Sequence, residues 1–228
     1  MSDKFYTLLI TLIFGSLLLA GCDSATQAQS NPPASNGGNQ PAATSNGPDA
    51  DGDGIPDSAE KLLGTDPNNA DTDGDGQNDP VDKNPTFAEN PIKENGTQTD
   101  FKIDSILVEN NVDATGGGAP DHLELHVTNT GATDLTNFDV YYTITDLTTQ
   151  ESQATYRTLS GFSLKAGETK ALHFDNTGAP DHFSINPNSL YYTNQNQLQV
   201  DVTLHAAGFA PQTASVKKDA GDAETGTD

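Results

Sequence analysis

The chain has 228 residues, with 10 Lys and Arg against 33 Asp and Glu, one Cys, one Met and no Trp. A net charge of −23 excludes a phosphate-tracking nucleic-acid groove, and a single Cys excludes an internal disulfide framework or a Cys-rich zinc site. Hydrophobic content of 33% is low for a wholly globular chain, so one domain of ordinary size is expected beside disordered segments.

The N-terminus carries Lys4 and then an apolar run from Phe5 to Ala20. At about 1.5 Å per residue this run falls short of a bilayer core of about 30 Å, which favours a signal-peptide core over a permanent span. It ends Leu18-Leu19-Ala20-Gly21-Cys22. This ending resembles the lipobox of bacterial lipoproteins. The resemblance implies removal of residues 1–21, acylation of Cys22 and anchoring of the chain to a membrane of the bacterial cell envelope. It also gives a lone Cys in an exported chain a purpose, since several acyl chains hold a protein stably to a bilayer. Asp23 resembles the retention signal of enterobacterial lipoproteins, which favours the periplasmic face of the inner membrane over the outer membrane or the surface. Residues 24–48 contain no charge and are rich in Ser, Asn, Gln, Pro, Ala and Gly; with the lipidated Cys22 they read as a disordered tether.

Residues 49–100 hold 14 acidic and 3 basic side chains, and the acids are spaced. The first set places Asp49, Asp51, Asp53, Asp57 and Glu60 at positions 1, 3, 5, 9 and 12 of a loop, with Gly54 at position 6. This is the D-x-D-x-D-G-x5-E spacing of a calcium loop. Calcium takes about 6–8 oxygens at about 2.3–2.6 Å, so a single chain must curl tightly around it. Gly54 permits the turn, the Ile55 carbonyl supplies a backbone oxygen and Glu60 closes the shell. The second set, 22 residues on, is Asp71, Asp73, Asp75, Gly76, Gln77 (again as a carbonyl), Asp79 and Asp82, with the shorter Asp in place of Glu at the end. The expected ligand is Ca2+; the competing reading is a solvated acidic linker with Asp-Gly turns. An EF-hand needs a helix on each side of its loop. Only residues 58–63 read as a short helix, stopped by Gly64, and Lys83-Asn84-Pro85 cannot start another. Residues 49–84 resemble the thrombospondin type 3 repeat in its cysteine-free bacterial form, which implies acidic loops wrapping calcium with little secondary structure or apolar core. The nearest rival is a dockerin, which needs a helix after each loop. Without calcium, the mutual repulsion of these carboxylates is expected to extend the segment.

From Phe101 to Thr213 the texture becomes period-two alternation between turn residues. Strands are expected over 101–108, 122–129, 135–145, 153–159, 162–164, 170–174 and 197–205, with no convincing helix. The expected fold class is mainly β: an immunoglobulin-like β-sandwich over 101–213, preceded by the calcium-loop segment and followed by a disordered acidic tail, 214–228. Val127-x-Asn129-x-Gly131 and Leu164-x-Ala166-Gly167-Glu168-Thr169 resemble turns of bacterial adhesion-type Ig-like domains.

Two features remain. His122, Glu124 and His126 alternate along one strand face, opposite Leu123, Leu125 and Val127, and His173 and His205 also point away from their apolar neighbours. His122 and His126 lie about 13 Å apart along an ordinary strand and cannot share an ion, so a polar solvent face is the favoured reading and a transition-metal site the other. Gly118-Ala119-Pro120-Asp121-His122 recurs as Gly178-Ala179-Pro180-Asp181-His182, which suits two turns or, if the loops meet, an ion site. No nucleophile elbow, HExxH, phosphate loop or dinucleotide fingerprint is present, so no enzyme activity is expected. The sequence reads as a calcium-binding, membrane-anchored lipoprotein that presents a sandwich for binding or adhesion to a protein or glycan. The alternatives are a calcium-stiffened spacer without a ligand of its own, or an accessory subunit of an envelope enzyme.

Overall fold

Apolar side chains at every second position, separated by turn residues, commit the C-terminal half of the chain to strands with one buried face. The computed structural model describes residues 47–93, 96–109 and 115–221, all within one unit. Cys22, the leader and residues 23–46 of the tether lie outside the described residues, as does the tail beyond 221. Among the described residues no helix is long and apolar enough to cross a membrane.

In chain order the elements are α1 (Asp57–Leu63), β1 (Phe101–Leu107), β2 (Leu123–Asn129), β3 (Phe138–Asp146), β4 (Ser152–Thr158), β5 (Thr169–Phe174), β6 (His182–Phe183), α2 (Leu190–Thr193), β7 (Leu198–Ala206) and β8 (Gln212–Lys218). The strands form two four-stranded sheets, ordered β1-β2-β5-β6 and β4-β3-β7-β8. The chain lays down two strands in one sheet, crosses, and lays down two in the other. All pairings are antiparallel except the short β5–β6 pair. The fold is therefore mainly β, as the alternation implied.

Between the sheets lies a single core that includes Leu123, Leu125 and Val127 of β2, Val140, Tyr142 and Ile144 of β3, Leu172 and Phe174 of β5, and Val200, Val202 and Leu204 of β7. With no Trp or disulfide to pin the sheets, edge-to-face rings do so: Phe138 packs against Phe101 at 5.5 Å and Phe162 at 5.1 Å, and Tyr142 against Phe174 at 5.6 Å between centroids. Leu125 is completely buried. Leu125→Ala is expected to cost about 2–5 kcal/mol in urea unfolding, from lost transfer energy plus a cavity.

The two turns that contain Asn129 and Glu168 meet. Asn129 is completely buried; its amide N–H donates to Glu168 O at 2.9 Å, and its Nδ2 donates to Thr133 O at 2.8 Å and Leu164 O at 3.1 Å. Its Oδ1 accepts the Gly131 amide at 2.9 Å. Only a side chain with a donor and an acceptor satisfies both turns. Asn129→Ala removes three side-chain bonds from a buried site. Leu164 O keeps the Leu135 amide and the Gly131 amide keeps Asp100 O, so Thr133 O bears most of the loss, and a cost of about 1–3 kcal/mol by chemical denaturation is expected.

Some boundaries differ from the sequence reading. Asn137 takes φ 57, which breaks the run from Leu135, so β3 begins at Phe138 and Leu135 makes only a bridge to Leu164. Residues 162–164 form no strand beyond that bridge. Sheet pairing continues past Thr213 to Lys218, because β8 pairs along its whole length with β7. Residues 214–218 therefore belong to the sheet and not to a disordered tail. β8 alternates between partly buried and exposed residues and buries none fully, so its hydropathy pattern is faint. A single helical turn, α2, places Tyr191 so that its hydroxyl donates to Val108 O at 2.6 Å, closing the end of β1.

The acidic segment is attached to this sandwich along the edge strand β4. Tyr156 N donates to Asp73 O at 2.7 Å, Ala154 N to Thr86 O at 3.0 Å, and Ala88 N to Ala154 O at 3.1 Å. Asn186 and Asn188 reach from the loop before α2 to the carbonyls of Gly64 and Thr65, at 2.7 and 2.8 Å.

Candidate metal centre

Aspartates at alternate positions, interleaved with Gly, give the two acidic stretches the same local fold. In the first, Asp49 accepts the amides of Gly52 at 3.0 Å and Gly54 at 3.2 Å, Asp51 accepts that of Asp53 at 3.1 Å, and Asp53 that of Ile55 at 2.6 Å. In the second, Asp71 accepts Gly74 at 2.9 Å and Gly76 at 3.0 Å, Asp73 accepts Asp75 at 3.0 Å, and Asp75 accepts Gln77 at 2.8 Å. The ninth position closes each loop on its second amide: Asp57 accepts Ala50 N and Asp79 accepts Thr72 N, both at 2.9 Å. Short polar side chains that bond to the backbone a few residues away make such turns without any helix or sheet.

These bonds engage one oxygen of Asp51, Asp53 and Asp73 and leave the other turned inward. Asp51 Oδ2, Asp53 Oδ2 and Asp73 Oδ2 are buried and accept no hydrogen bond, and neither does Glu60 Oε2. A buried anionic oxygen without a donor is costly, and a cation relieves that cost. One oxygen each from Asp49, Asp51 and Asp53 converges within 4.8 Å, and the same holds for Asp71, Asp73 and Asp75. A third convergence joins the two stretches: Asp53, Glu60 and Asp79.

α1 puts Glu60 there. Pro56 precedes the helix, and Gly64, in the left-handed conformation at φ 80, ends it with its N–H on Glu60 O. Glu60 is thereby fixed under the first loop with no exposure to solvent. Burial, reinforced by Asp51, Asp53, Asp57 and Asp79, pushes its carboxyl up to about 7. Burial, then Asp75, Asp82 and Asp71, pushes Asp73 up to about 6. Asp51 and Asp79 are also raised, chiefly by burial.

These shifts predict a pH dependence. A carboxyl raised in the folded state holds its proton after the unfolded chain has released it, so its contribution is complete below the unfolded value and lost as pH rises through the folded one. In chelator, the acidic segment is expected to become less stable from about pH 4.5 to about 7. With calcium the trend reverses, because protons and the cation compete for the same oxygens. Amide exchange across residues 49–82 at pH 5 and pH 7, with and without calcium, reads both signs.

Of the residues expected as ligands, Asp49, Asp51, Asp53 and Glu60 lie around the first loop, and Asp71, Asp73 and Asp75 around the second. Asp79 belongs to the second loop by sequence, yet it also faces Asp53 and Glu60 of the first. Nothing in linear spacing distinguishes that role. Its placement comes from Thr72, whose hydroxyl donates to Asp79 Oδ2 at 2.7 Å and accepts the Asp66 amide at 2.7 Å. Asp57 binds its own loop. Asp82 joins no convergence and accepts the Asn84 amide at 2.9 Å. Ile55 and Gln77 follow the same turn in each copy, and Gln77 also donates from Nε2 to Asp75 Oδ2 at 3.0 Å.

Residues 49–70 match the family model of the bacterial TSP3 repeat. That span holds the first acidic loop, α1 and the turn after it. The second loop lies beyond the match but repeats its hydrogen bonds position for position, and no helix follows it through residue 93, unlike a dockerin. TSP3 repeats are of a calcium-binding type, and the inward carboxylate oxygens suit a hard divalent cation. No curated protein matches the chain. Among solved structures, Spo0M, a sporulation control protein from Bacillus subtilis, is similar at 15% identity over 54% of this chain and 50% of that one, with a TM-score of 0.29. So loose a likeness carries no argument about fold or function, and the chain spans about half of that protein.

Proposed function

We propose that the chain is a calcium-binding, membrane-anchored envelope lipoprotein in which the ion holds the acidic segment against a β-sandwich that serves binding or adhesion. The observation that carries the calcium reading is the set of four buried carboxylate oxygens without a hydrogen-bond donor. The first ion draws on Asp49, Asp51, Asp53, Glu60 and the Ile55 carbonyl, with Asp79 reaching across and Asp57 shaping the loop. The second draws on Asp71, Asp73, Asp75 and the Gln77 carbonyl, with Asp82 near enough to contribute charge. Calcium supplies positive charge that these oxygens lack; the chain's part is to curl, to bury the carboxylates and to exclude competing donors.

The anchor reading rests on the Leu18–Cys22 pattern, and the adhesion reading on the strand order and the two Ig-like turn motifs that Asn129 joins. An inner-membrane, periplasmic location rests on Asp23 alone. The sandwich partner is a protein or glycan, and no catalytic role is assigned. The backbone bonds to β4 favour a calcium role in shape over an independently flexible spacer.

Calcium titration calorimetry on the full chain tests the first claim. Saturable binding of two ions is expected, and no heat up to several millimolar calcium, beyond the weak end for extracellular modules, overturns it. Cys22→Ala tests the second: the chain is expected to leave the membrane fraction and lose its acyl mass, and unchanged partition overturns the anchor.

A further inference from the structure

The face of β2 that points away from the core is partly exposed at His126 but buried at its other end. His122 and Glu124 are buried, at 6% and 5% exposure, and His173 is half-buried beside them. Strand register explains the gathering. Glu124 pairs with His173 across β2 and β5, and His173 pairs with His182 across β5 and β6. His122, one residue ahead of β2, adds a third imidazole.

The geometry is that of a small polyhedron's face. His122 Nε2 lies 2.9 Å from His173 Nδ1, and Glu124 Oε2 lies 3.4 Å from His173 Nδ1 and 3.7 Å from His122 Nε2. A tetrahedral ion with bonds of about 2.0–2.1 Å holds its ligands about 3.3–3.4 Å apart, within the range of these three edges. Calcium is a poor fit to two nitrogens and one oxygen, since it takes six or more oxygens.

The supporting shell is also present. His122 Nδ1 lies 2.8 Å from Pro120 O. A carbonyl only accepts, so Nδ1 is the donor there, and Nε2 is the nitrogen that faces His173 and Glu124, its lone pair free for a metal in the neutral ring. A ligating imidazole ordinarily has such a carbonyl or carboxylate on its other nitrogen. His126 Nε2 meets Glu124 Oε1, and His182 stacks on His173 at 4.2 Å with its Nδ1 on Asp175 Oδ2 at 2.8 Å. The repeated Gly-Ala-Pro-Asp-His thereby has a structural consequence. Each copy ends by delivering a histidine to one side of His173, with ring centroids at 5.1 Å for His122 and 4.2 Å for His182.

We propose that His122 Nε2, His173 Nδ1 and one Glu124 oxygen form a binding site for a divalent transition ion of the zinc class, separate from the acidic loops. Two neutral imidazoles and one carboxylate leave a fourth coordination position for water or an external ligand, the arrangement of three-ligand zinc sites. The competing account is a simple hydrogen bond between the two rings, and the experiment separates the two.

The probe is Zn2+ added to the full chain with the acidic loops saturated by excess calcium. One equivalent is expected to bind. In the unaltered chain, histidine ring 15N shifts are expected at His122 Nε2 and His173 Nδ1, and Co2+ is expected to give the intense visible bands of a tetrahedral site. His173→Ala is expected to lower zinc affinity by about 100-fold or more, a first-ligand loss exceeding that of an outer-shell partner, while His205→Ala leaves it unchanged. Absence of stoichiometric zinc binding in calcium overturns the proposal. So does binding that survives both His173→Ala and Glu124→Gln, or ring shifts that fall on other histidines. The 15N result stands even where a variant fails to fold.

Discussion

Calcium in excess is expected to raise the thermal midpoint of the chain by about 10 °C. The size follows from linkage. At 10 to 100 times its dissociation constant a ligand stabilises the folded state by about 1.4–2.7 kcal/mol per site, so two sites give about 3–5 kcal/mol, and each kcal/mol moves the midpoint of a domain this large by about 2–4 °C. Asp53→Asn tests the assignment more sharply than an Ala variant. It keeps Oδ1, which accepts the Ile55 amide at 2.6 Å, and removes the charge behind the inward Oδ2. Asp53 belongs to two convergences, with Asp49 and Asp51 and with Glu60 and Asp79. The variant is therefore expected to be slightly more stable than the parent in chelator, where like charges repel, and to lose about half of the calcium shift. Asp75→Asn is expected to remove the other half. A full calcium shift in Asp53→Asn would sink the assignment of the first loop.

The sequence discloses local chemistry better than long-range placement. Alternate Asp and Gly specify each loop because the bonds that make it span only two to seven residues. Leu123, Leu125 and Val127 specify the buried face of β2 for the same reason, as the period of a strand is local. Glu124 and His122 were misread as a solvated face because their burial depends on β5 and β6, which lie about fifty residues further on and meet β2 only through sheet register. Asp79 was assigned to one loop for a like reason: its second set of neighbours comes from folding the segment back through α1. β8 escaped notice because an edge strand held by backbone bonds needs no strong hydropathy pattern. The strand at 170–174 is legible in the sequence, but its pairing is not, and only that pairing brings the last histidine of each pentapeptide copy to His173.

The tightest approach of the acidic segment to the sandwich is at Gly74, and its disruption should be the largest glycine effect in that segment. Gly52 and Gly74 occupy the same position in the two loops, with φ of 77 and 78. Both are in the left-handed region, where a Cβ costs about 1–2 kcal/mol. Their surroundings differ. A Cβ on Gly52 meets nothing within 4 Å, whereas one on Gly74 would lie 2.0 Å from the carbonyl oxygen of Tyr156. That oxygen is backbone of β4 and cannot rotate aside, and the adjoining Tyr156 amide donates to Asp73 O at 2.7 Å. Gly52→Ala therefore measures conformational strain alone, and Gly74→Ala measures the same strain plus separation of the loop from the strand. Gly74→Ala is expected to cost about 2 kcal/mol or more beyond Gly52→Ala, placing it among core-scale effects. Amide protection should fall at Tyr156. The end of β4 around Tyr156 would then be an open sheet edge, while Ala154 stays bonded to Thr86 and Ala88, so the variant should also self-associate at lower concentration than the parent. Calcium should stabilise Gly52→Ala and Gly74→Ala by different amounts if the ion acts through docking, since an undocked second loop returns less of its binding energy to the sandwich. Equal destabilisation of the two variants, with Tyr156 still protected in Gly74→Ala, would mean that the loop is not held against β4 at all.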